Sequence, residues 1–399
     1  MKVLLSSWGT RGDVQPFLAL AFALRARGHD SRLCVAPNFK SWVESLGFAC
    51  VSMGEDIKEL IGPAQRTSSE EQQRQRTQRN VSAQFEALAA AAPGCSMIVG
   101  NSIAACSVAE ALEIPYIFAA GTPVALPSPD HPPPKRRAHH PQTLSRSANL
   151  ALWAQKLRIW NDLFFTVLNE ERVKLGLAAV ENVQQQLITG RPWLATDPIL
   201  GPPGAATDME IVHTGAWLMP DPSPLPEPVE RFLADGEPPV YLGFGSMRAA
   251  EECSPALIES VRALGLRLIV SRGWANLAPV DERTDCLSIG DVAHEKLLPR
   301  VSAVVHHGGA GTTTAAARAG KPQVIVPHEY DQPYWAHRVQ ELGVGVAGPT
   351  SESLTVQRLV DALRECLRPE VKTRAQLLGP RIQLDGAQQA AARIEREFG

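Results

Sequence analysis

The stretch SAVVHHGGAGTTTAAARAGKPQVIVP, Ser302 to Pro327, reads as strand, glycine turn, helix, stop and strand. Ser302 to His306 is a short apolar run, and Gly308, Gly309 and Gly311 flank Ala310 in a turn. Thr312 to Ala319 is a helix-forming run with hydroxyls in its first turn. Gly320 and Pro322 end it, and Val324 to Val326 forms the next strand. A glycine turn feeding a helix leaves backbone N–H groups free at the positive end of the helix dipole. That is a ready anion site, well suited to phosphate. Taken alone, the same turn also serves a parallel sheet with no ligand. GGAGT is not GxGxxG, and the following strand ends in Val326-Pro327 without the acidic residue a dinucleotide ribose needs. The P-loop glycine-lysine pattern is absent as well.

The same plan occurs twice. In the first half, Val3 to Ser7 reads as a strand, GTRGD (Gly9 to Asp13) as a turn, and Pro16 to about Arg27 as a helix ended by Gly28. Ser31 to Ala36 returns as a strand. In the second half, Pro239 to Phe244 is a strand, GSM a turn, Pro255 to about Leu264 a helix, and Leu266 to Ser271 a strand. Strands alternating with helices at this spacing imply an α/β fold with parallel sheets. Prolines at 220, 222, 224, 226 and 228 mark a stiff connector between the halves. Arg66 to Arg79 reads as an exposed loop or helix, and proline-rich Pro123 to Arg146 as a mobile surface loop. Leu150 to Leu175 reads as a helix whose apolar stripe includes Trp153 and Trp160. Asp385 to Phe398 reads as a last helix with Asp385 as its N-cap.

At 399 residues, two domains are expected at roughly 150 residues each. A net charge of −3 is too small for a nucleic-acid-binding surface. Lys135 to Arg137 could meet an acidic partner or a membrane, but three charges rarely anchor anything alone. The seven cysteines are scattered without a CxxC pair, which reads as buried free thiols in a reducing compartment. The apolar run after Lys2 is too short for a signal peptide. No segment approaches the ~20 apolar residues needed to span a membrane. A cytoplasmic protein without stable membrane anchoring is expected.

HHGGAGT followed by PHEYDQPYWA, with GTRGDVQP, RPWLATDPIL, TGAWLMP, VYLGFGSM, IVSRGW and GDVAHEKLLPRV, resembles the inverting, family 1-type glycosyltransferases of the GT-B fold. The nearest likeness is to those that decorate glycopeptide antibiotics. It runs through most of the chain in order and thins at Asp56 to Gln78 and Asp130 to Arg158, where such enzymes vary to suit the acceptor. The resemblance implies two Rossmann-like domains facing across a cleft, with the C-terminal helix returning to the N-terminal domain. Residues 1–218, plus about 381–399, would form the acceptor domain, 219–235 the linker, and 236–380 the nucleotide-sugar domain. The implied reaction moves a hexose from a TDP- or UDP-sugar to a hydroxyl of a hydrophobic or aromatic aglycone, with no cofactor. Rival readings are a sterol, lipid or polyketide glycosyltransferase, a non-hydrolysing nucleotide-sugar epimerase, and a non-catalytic activator of another enzyme.

Site residues follow from the resemblance, each beside a simpler reading. His307, Gly309, Gly311 and Thr312 match the positions that bind the donor diphosphate; His306 is either a partner in this or a residue that closes the strand. Ser246 would send its hydroxyl to the phosphates or cap a helix. Arg272 and Trp274, at a strand end, and the backbone of Val292 would hold the nucleoside, with Trp274 otherwise a packing residue. Asp331 and Gln332 would bond sugar hydroxyls; Asp331 would otherwise be an N-cap. No DxD occurs, so no metal is expected. Asp13 is the candidate base for the attacking hydroxyl, with Thr10 orienting the acceptor. An ordinary carboxylate, with a pKa of about 3.9, is a weak base, so burial would have to raise it. The simpler reading of Asp13 is a helix N-cap, and pairing with Arg11 would count against the base role. Trp153 and Trp160, with the proline-rich loop, are candidates for the acceptor surface.

Overall fold

The computed structural model describes the chain except residues 61–68, 136–138, 206–207, 248–249, 275–276, 278–280 and 282; nothing is described of the side chains of 70 and 250–253. Seven strands form the first sheet: β1 (Lys2–Ser7), β2 (Asp30–Val35), β3 (Ala49–Ser52), β4 (Met97–Gly100), β5 (Tyr116–Ala120), β6 (Trp193–Leu194) and β7 (Val212–His213). Six form the second: β8 (Val240–Gly243), β9 (Leu268–Ser271), β10 (Cys286–Ile289), β11 (Ala303–His306), β12 (Gln323–Ile325) and β13 (Gly345–Ala347). Their orders are β3-β2-β1-β4-β5-β6-β7 and β10-β9-β8-β11-β12-β13. The pairings are parallel throughout. Val3 to Ser7 and all of β8 are buried, as strands covered on both faces must be. The α/β expectation of two Rossmann-like domains holds. Each sheet has a switch point where the winding reverses, β1/β4 in the first and β8/β11 in the second. Ligands of such sheets gather at the carboxyl ends of those strands.

Several elements differ from the sequence reading. The first helix is Arg11–Ala26, starting five residues early. Asp13 accepts from the Thr10 backbone N–H, one half of a capping box, and this anchors a start ahead of Pro16. Val14, Phe17, Leu18, Ala21 and Leu24 then face the core at helical spacing. The connector is extended only as far as Pro226; Glu227–Ala234 is a helix with Pro228 in its first turn, where proline is tolerated. Residues 70–91 are a helix, Glu70–Ala91, capped by Ser69, while 66–68 lie outside the described residues. Pro123 to Arg146 is not a free surface loop. Ser128 and His131 are buried, Trp153 Nε1 donates to His131 O at 3.0 Å, and Tyr330 N donates to Lys135 O at 2.8 Å. Arg136 and Arg137 lie outside the described residues. The long helix is Arg146–Lys174, and Trp153 is buried in it. Asp385 precedes the last helix without a capping hydrogen bond. Six of the cysteines are free thiols; the Cys253 side chain is not described.

The last helix, Gly386–Phe398, packs on Arg11–Ala26. Ala387, Ala390, Ala391 and Ile394 join the core that holds Phe17 and Leu20. The return is anchored at Asp197, which is buried in the loop after β6. Its Oδ1 accepts from the Ile199 and Leu200 backbone at 2.8 and 3.1 Å, and its Oδ2 from the Gln383 backbone at 3.0 Å. Removing this carboxylate strands buried donors, at about 1–3 kcal/mol each. Asp197→Ala is therefore expected to lower the thermal midpoint by several degrees in calorimetry, and an unchanged midpoint would show that the anchor is dispensable.

Candidate active site

Both switch points open onto one cleft. In the second sheet, Gly243 of β8 and His306 of β11 are register partners, so the loops that follow them lie side by side. After β11 the helix Ala310–Arg318 follows the N-cap Gly309, so it starts two residues earlier than its sequence pattern suggests, and no side chain caps it. The Thr313 and Thr314 hydroxyls turn back onto Gly309 O and Ala310 O at 2.9 and 2.8 Å. The Thr312 hydroxyl has no partner among the described residues. The first turn thus presents backbone N–H groups, one hydroxyl and the positive dipole end.

The two histidines divide the work. His306 is fully buried; its Nε2 meets Gln323 Oε1 at 2.9 Å, and its Nδ1 accepts from Gly308 N at 3.1 Å. Those partners set the tautomer, with the proton on Nε2, and hold the glycine turn. His306 therefore closes the strand and shapes the loop. Gly308 has φ +97°, and a Cβ there would stand 2.7 Å from Ile325 Cγ2. The His307 ring lies between the two glycine loops. A Cβ on Gly309 would be 2.7 Å from its Nε2, and one on Gly245 3.3 Å from its Cε1. Its Nδ1 faces the Gly243 backbone without completing a hydrogen bond. Burial, then the neighbouring histidines, pushes its pKa down to about 3, so the ring is neutral.

Asp331 and Gln332 begin the helix Gln332–Glu341. Asp331 Oδ2 accepts from Trp335 Nε1 at 2.8 Å. Burial, with the Asp13 charge adding to it, pushes the Asp331 pKa up to about 6. Thr122, two residues past β5, lies close enough to oppose this slightly but makes no hydrogen bond of its own. Gln332 is buried, and its amide oxygen is occupied by the His328 and Glu329 backbone at 2.7 and 3.1 Å. Its amide nitrogen lies 3.4 Å from Met247 Sδ. Gln332 thus folds the loop that carries Asp331, a role the sequence did not show.

Across the cleft, Thr10 N and Thr10 Oγ1 both donate to Asp13 Oδ2, at 2.7 and 3.1 Å. Ser7 Oγ donates to Asp13 O at 3.0 Å. Thr10 is the N-cap and Asp13 the third helical residue, so the simple N-cap reading of Asp13 is replaced by its half of a capping box. Solvent reaches Asp13 through the open cleft, yet the protein crowded around it raises its pKa against the pull of those bonds. Arg11 does not pair with Asp13; it pairs with Asp291 of the second domain.

The nucleoside candidates flank the same cleft. Ser246 has no hydrogen-bond partner among the described residues, and residues 248–249, ahead of the helix Ala250–Arg262, are not described. The Arg272 guanidinium is exposed and unpaired among the described residues. Trp274 stacks on Phe39 of the first domain, with centroids 6.1 Å apart and 13° between planes, so its packing role is realised. Val292 is half-buried. The strand-end rule would have flagged Thr122; nothing local marked Asp291. Among the described residues, no group of three or more His, Cys, Asp or Glu side chains is set to hold a metal ion. None of the described helices is long and apolar enough to cross a membrane.

Residues 3–122 match the glycosyltransferase family 28 N-terminal domain, and residues 283–377 the C-terminal domain described as erythromycin biosynthesis protein CIII-like. Glycosyltransferase GtfE of Amycolatopsis orientalis is 41% identical over 98% of this chain and 96% of its own. The chain belongs to the GT-B glycosyltransferases of family 1 type. The vancomycin aglycone glucosyltransferase of the same organism is also 41% identical, over 98% of this chain and 96% of its own. A sterol 3-beta-glucosyltransferase of Arabidopsis thaliana is 30% identical over 95% of this chain but 62% of its own length. Among solved structures, the kitacinnamycin glycotransferase shares the fold with a TM-score of 0.75 at 18% identity, covering 100% of this chain and 99% of that one. The glycosyltransferase VinC, solved with dTDP, does so at 0.72 and 21%, covering 99% of both.

The histidines carry a pH prediction. Burial pushes His131, His294, His306 and His328 down to about 4, and His307 to about 3. The unfolded chain binds those protons near pH 6.5, while the native state does not until about pH 4. Their contribution is complete above pH 6.5 and is lost as pH falls towards 4, at up to about 1.4 kcal/mol per pH unit for each histidine. Asp331, raised to about 6, acts in the opposite sense and adds stability on the acid side. The thermal midpoint should drop steeply between pH 6.5 and 4, and His306→Gln should flatten that slope. Identical slopes would contradict the assignment.

Proposed function

We propose that this glycosyltransferase is inverting and metal-independent, moving a hexose from a TDP- or UDP-sugar to a hydroxyl of a natural-product aglycone. A glycopeptide antibiotic aglycone is the favoured acceptor class. The observation that carries the reading is the facing of Asp13 and Asp331 across one cleft, beside an uncapped helix N-terminus. The two relatives at 41% identity support the glycopeptide class. The sterol glucosyltransferase, at 30%, supports a lipid acceptor as the second reading.

In this reaction the acceptor oxygen forms a bond to the anomeric carbon while the bond from that carbon to the phosphate oxygen breaks. Attack from the face opposite the leaving group inverts the centre. The proton goes to Asp13, whose raised pKa makes it a better base than an ordinary carboxylate. The electron pair leaves with the nucleoside diphosphate. Its charge is met by the N–H groups at Gly309 and Gly311, the Thr312 and Ser246 hydroxyls, and neutral His307 acting as a donor. These donors and the helix dipole are oriented beforehand, so they need no reorganisation as charge develops. Asp331 accepts from sugar hydroxyls, and the Gln332 amide nitrogen, which keeps a second N–H beside the one directed at Met247 Sδ, donates to one. Arg272, Trp274 and the Val292 backbone border the nucleoside, while Thr10 orients the acceptor and holds Asp13.

A panel of TDP- and UDP-hexoses against glycopeptide, polyketide and sterol aglycones, read by mass spectrometry, tests this directly. The expected product is a glycopeptide aglycone heavier by one hexosyl unit. Conversion of the nucleotide sugar with no aglycone present would point to an epimerase. Asp13→Asn keeps an acceptor for the Thr10 N–H but removes the base. It is expected to lower kcat by about 10²–10⁴ while leaving nucleoside diphosphate affinity unchanged. A kcat close to that of the unaltered enzyme would rule Asp13 out as the base.

A further inference from the structure

Resting on the transferase reading above, we infer that Arg11 is a positioning residue, tying the nucleoside-side loop of the second domain to the helix turn that carries Asp13. Arg11 is the first residue of the helix Arg11–Ala26. A cation there sits at the wrong end of the helix dipole, so local structure gives no reason for it. Its reason lies in the other domain: Arg11 Nη1 donates to Asp291 Oδ2. The guanidinium carbon also sits 4.7 Å from the centroid of the Trp42 ring, which limits its swing.

The contact falls at an informative place. Asp291 follows Gly290, which is held against Arg272; a Cβ on Gly290 would be 3.2 Å from Arg272 Nη2. Asp291 directly precedes Val292. Close by, Trp274 stacks on Phe39, with Lys58 Nζ 5.0 Å from its ring. Trp274 N donates to Gly245 O at 2.8 Å, joining this patch to the loop of Ser246. One edge of the first domain therefore grips the loops proposed to border the nucleoside. The Arg11 and Asp291 side chains are 39% and 75% exposed, so their pairing contributes little to folding. Its consequence is geometric: Asp13 lies in the same helical turn, two residues on. Fixing Arg11 to the nucleoside loop fixes the distance from the base to the donor. Arg11 itself touches no reacting atom.

A double-mutant cycle on the full-length chain tests the coupling. Arg11→Ala and Asp291→Asn are each expected to lower kcat by about fivefold, the upper range for an exposed pair. The double variant should fall no further. Arg11→Lys should recover part of the loss, with nucleoside diphosphate affinity and thermal midpoint unchanged throughout. Additive losses, an unchanged kcat in Arg11→Ala, or a loss matched by a fall in thermal midpoint would overturn the inference. A second readout needs no turnover. TDP or UDP should slow amide hydrogen exchange at residues 10–14 of the unaltered chain, and Arg11→Ala should abolish that effect while keeping protection at 308–312. Persistent protection at 10–14 in Arg11→Ala, or none in the unaltered chain, would overturn the inference. Failure of the transferase reading shows separately, as no glycosylated product from any donor and acceptor while the exchange result stands.

Discussion

The helix Ala310–Arg318 begins without a side-chain cap, and much of the site is arranged to keep that beginning open. Free N–H groups at a helix start need water or a ligand. A serine or aspartate at Gly309 would satisfy them from within, but a Cβ there would meet the His307 ring. Thr313 and Thr314 spend their hydroxyls on carbonyls behind them. His306 is spent on Gln323 and Gly308, and so holds the turn from below. What remains at the helix start is a set of backbone donors that no side chain of the described residues caps, at the switch point of the sheet, where a parallel α/β fold gathers ligands.

Asp13, the proposed base, is also a structural residue. Its Oδ2 caps its own helix through Thr10, which sets its direction. The protein around it raises its pKa, and those same hydrogen bonds restrain the rise. Asp331, across the cleft, is raised to about 6, chiefly by burial, with the Asp13 charge adding to it. Two carboxylates facing each other in a crowded cleft favour a positively polarised group between them. An anomeric centre losing its leaving group develops such a charge.

The alternation of strands and helices, the two domains and the glycine turn were legible in the sequence, because each depends on local period and on glycine placement. The positions that converge were legible only through family resemblance. Gln332 shows why: its buried amide serves the His328–Glu329 backbone, a fact of three-dimensional packing that no spacing encodes. The start of the first helix was hidden by Pro16, which reads as a beginning until the Thr10–Asp13 bond is seen. Asp291 carried no local mark, since its partner is 280 residues away. The proline-rich loop looked free because proline and charge resemble solvent-exposed chain, whereas its backbone pairs with Tyr330.

The most direct test of the open helix start as the leaving-group cradle is a crystal structure with TDP or UDP bound. Diphosphate oxygens are expected about 2.9 Å from the Gly311 and Thr312 backbone nitrogens, with the Thr312 hydroxyl on the same phosphate. A diphosphate lodged elsewhere in the cleft, with those groups left to water, would contradict the account.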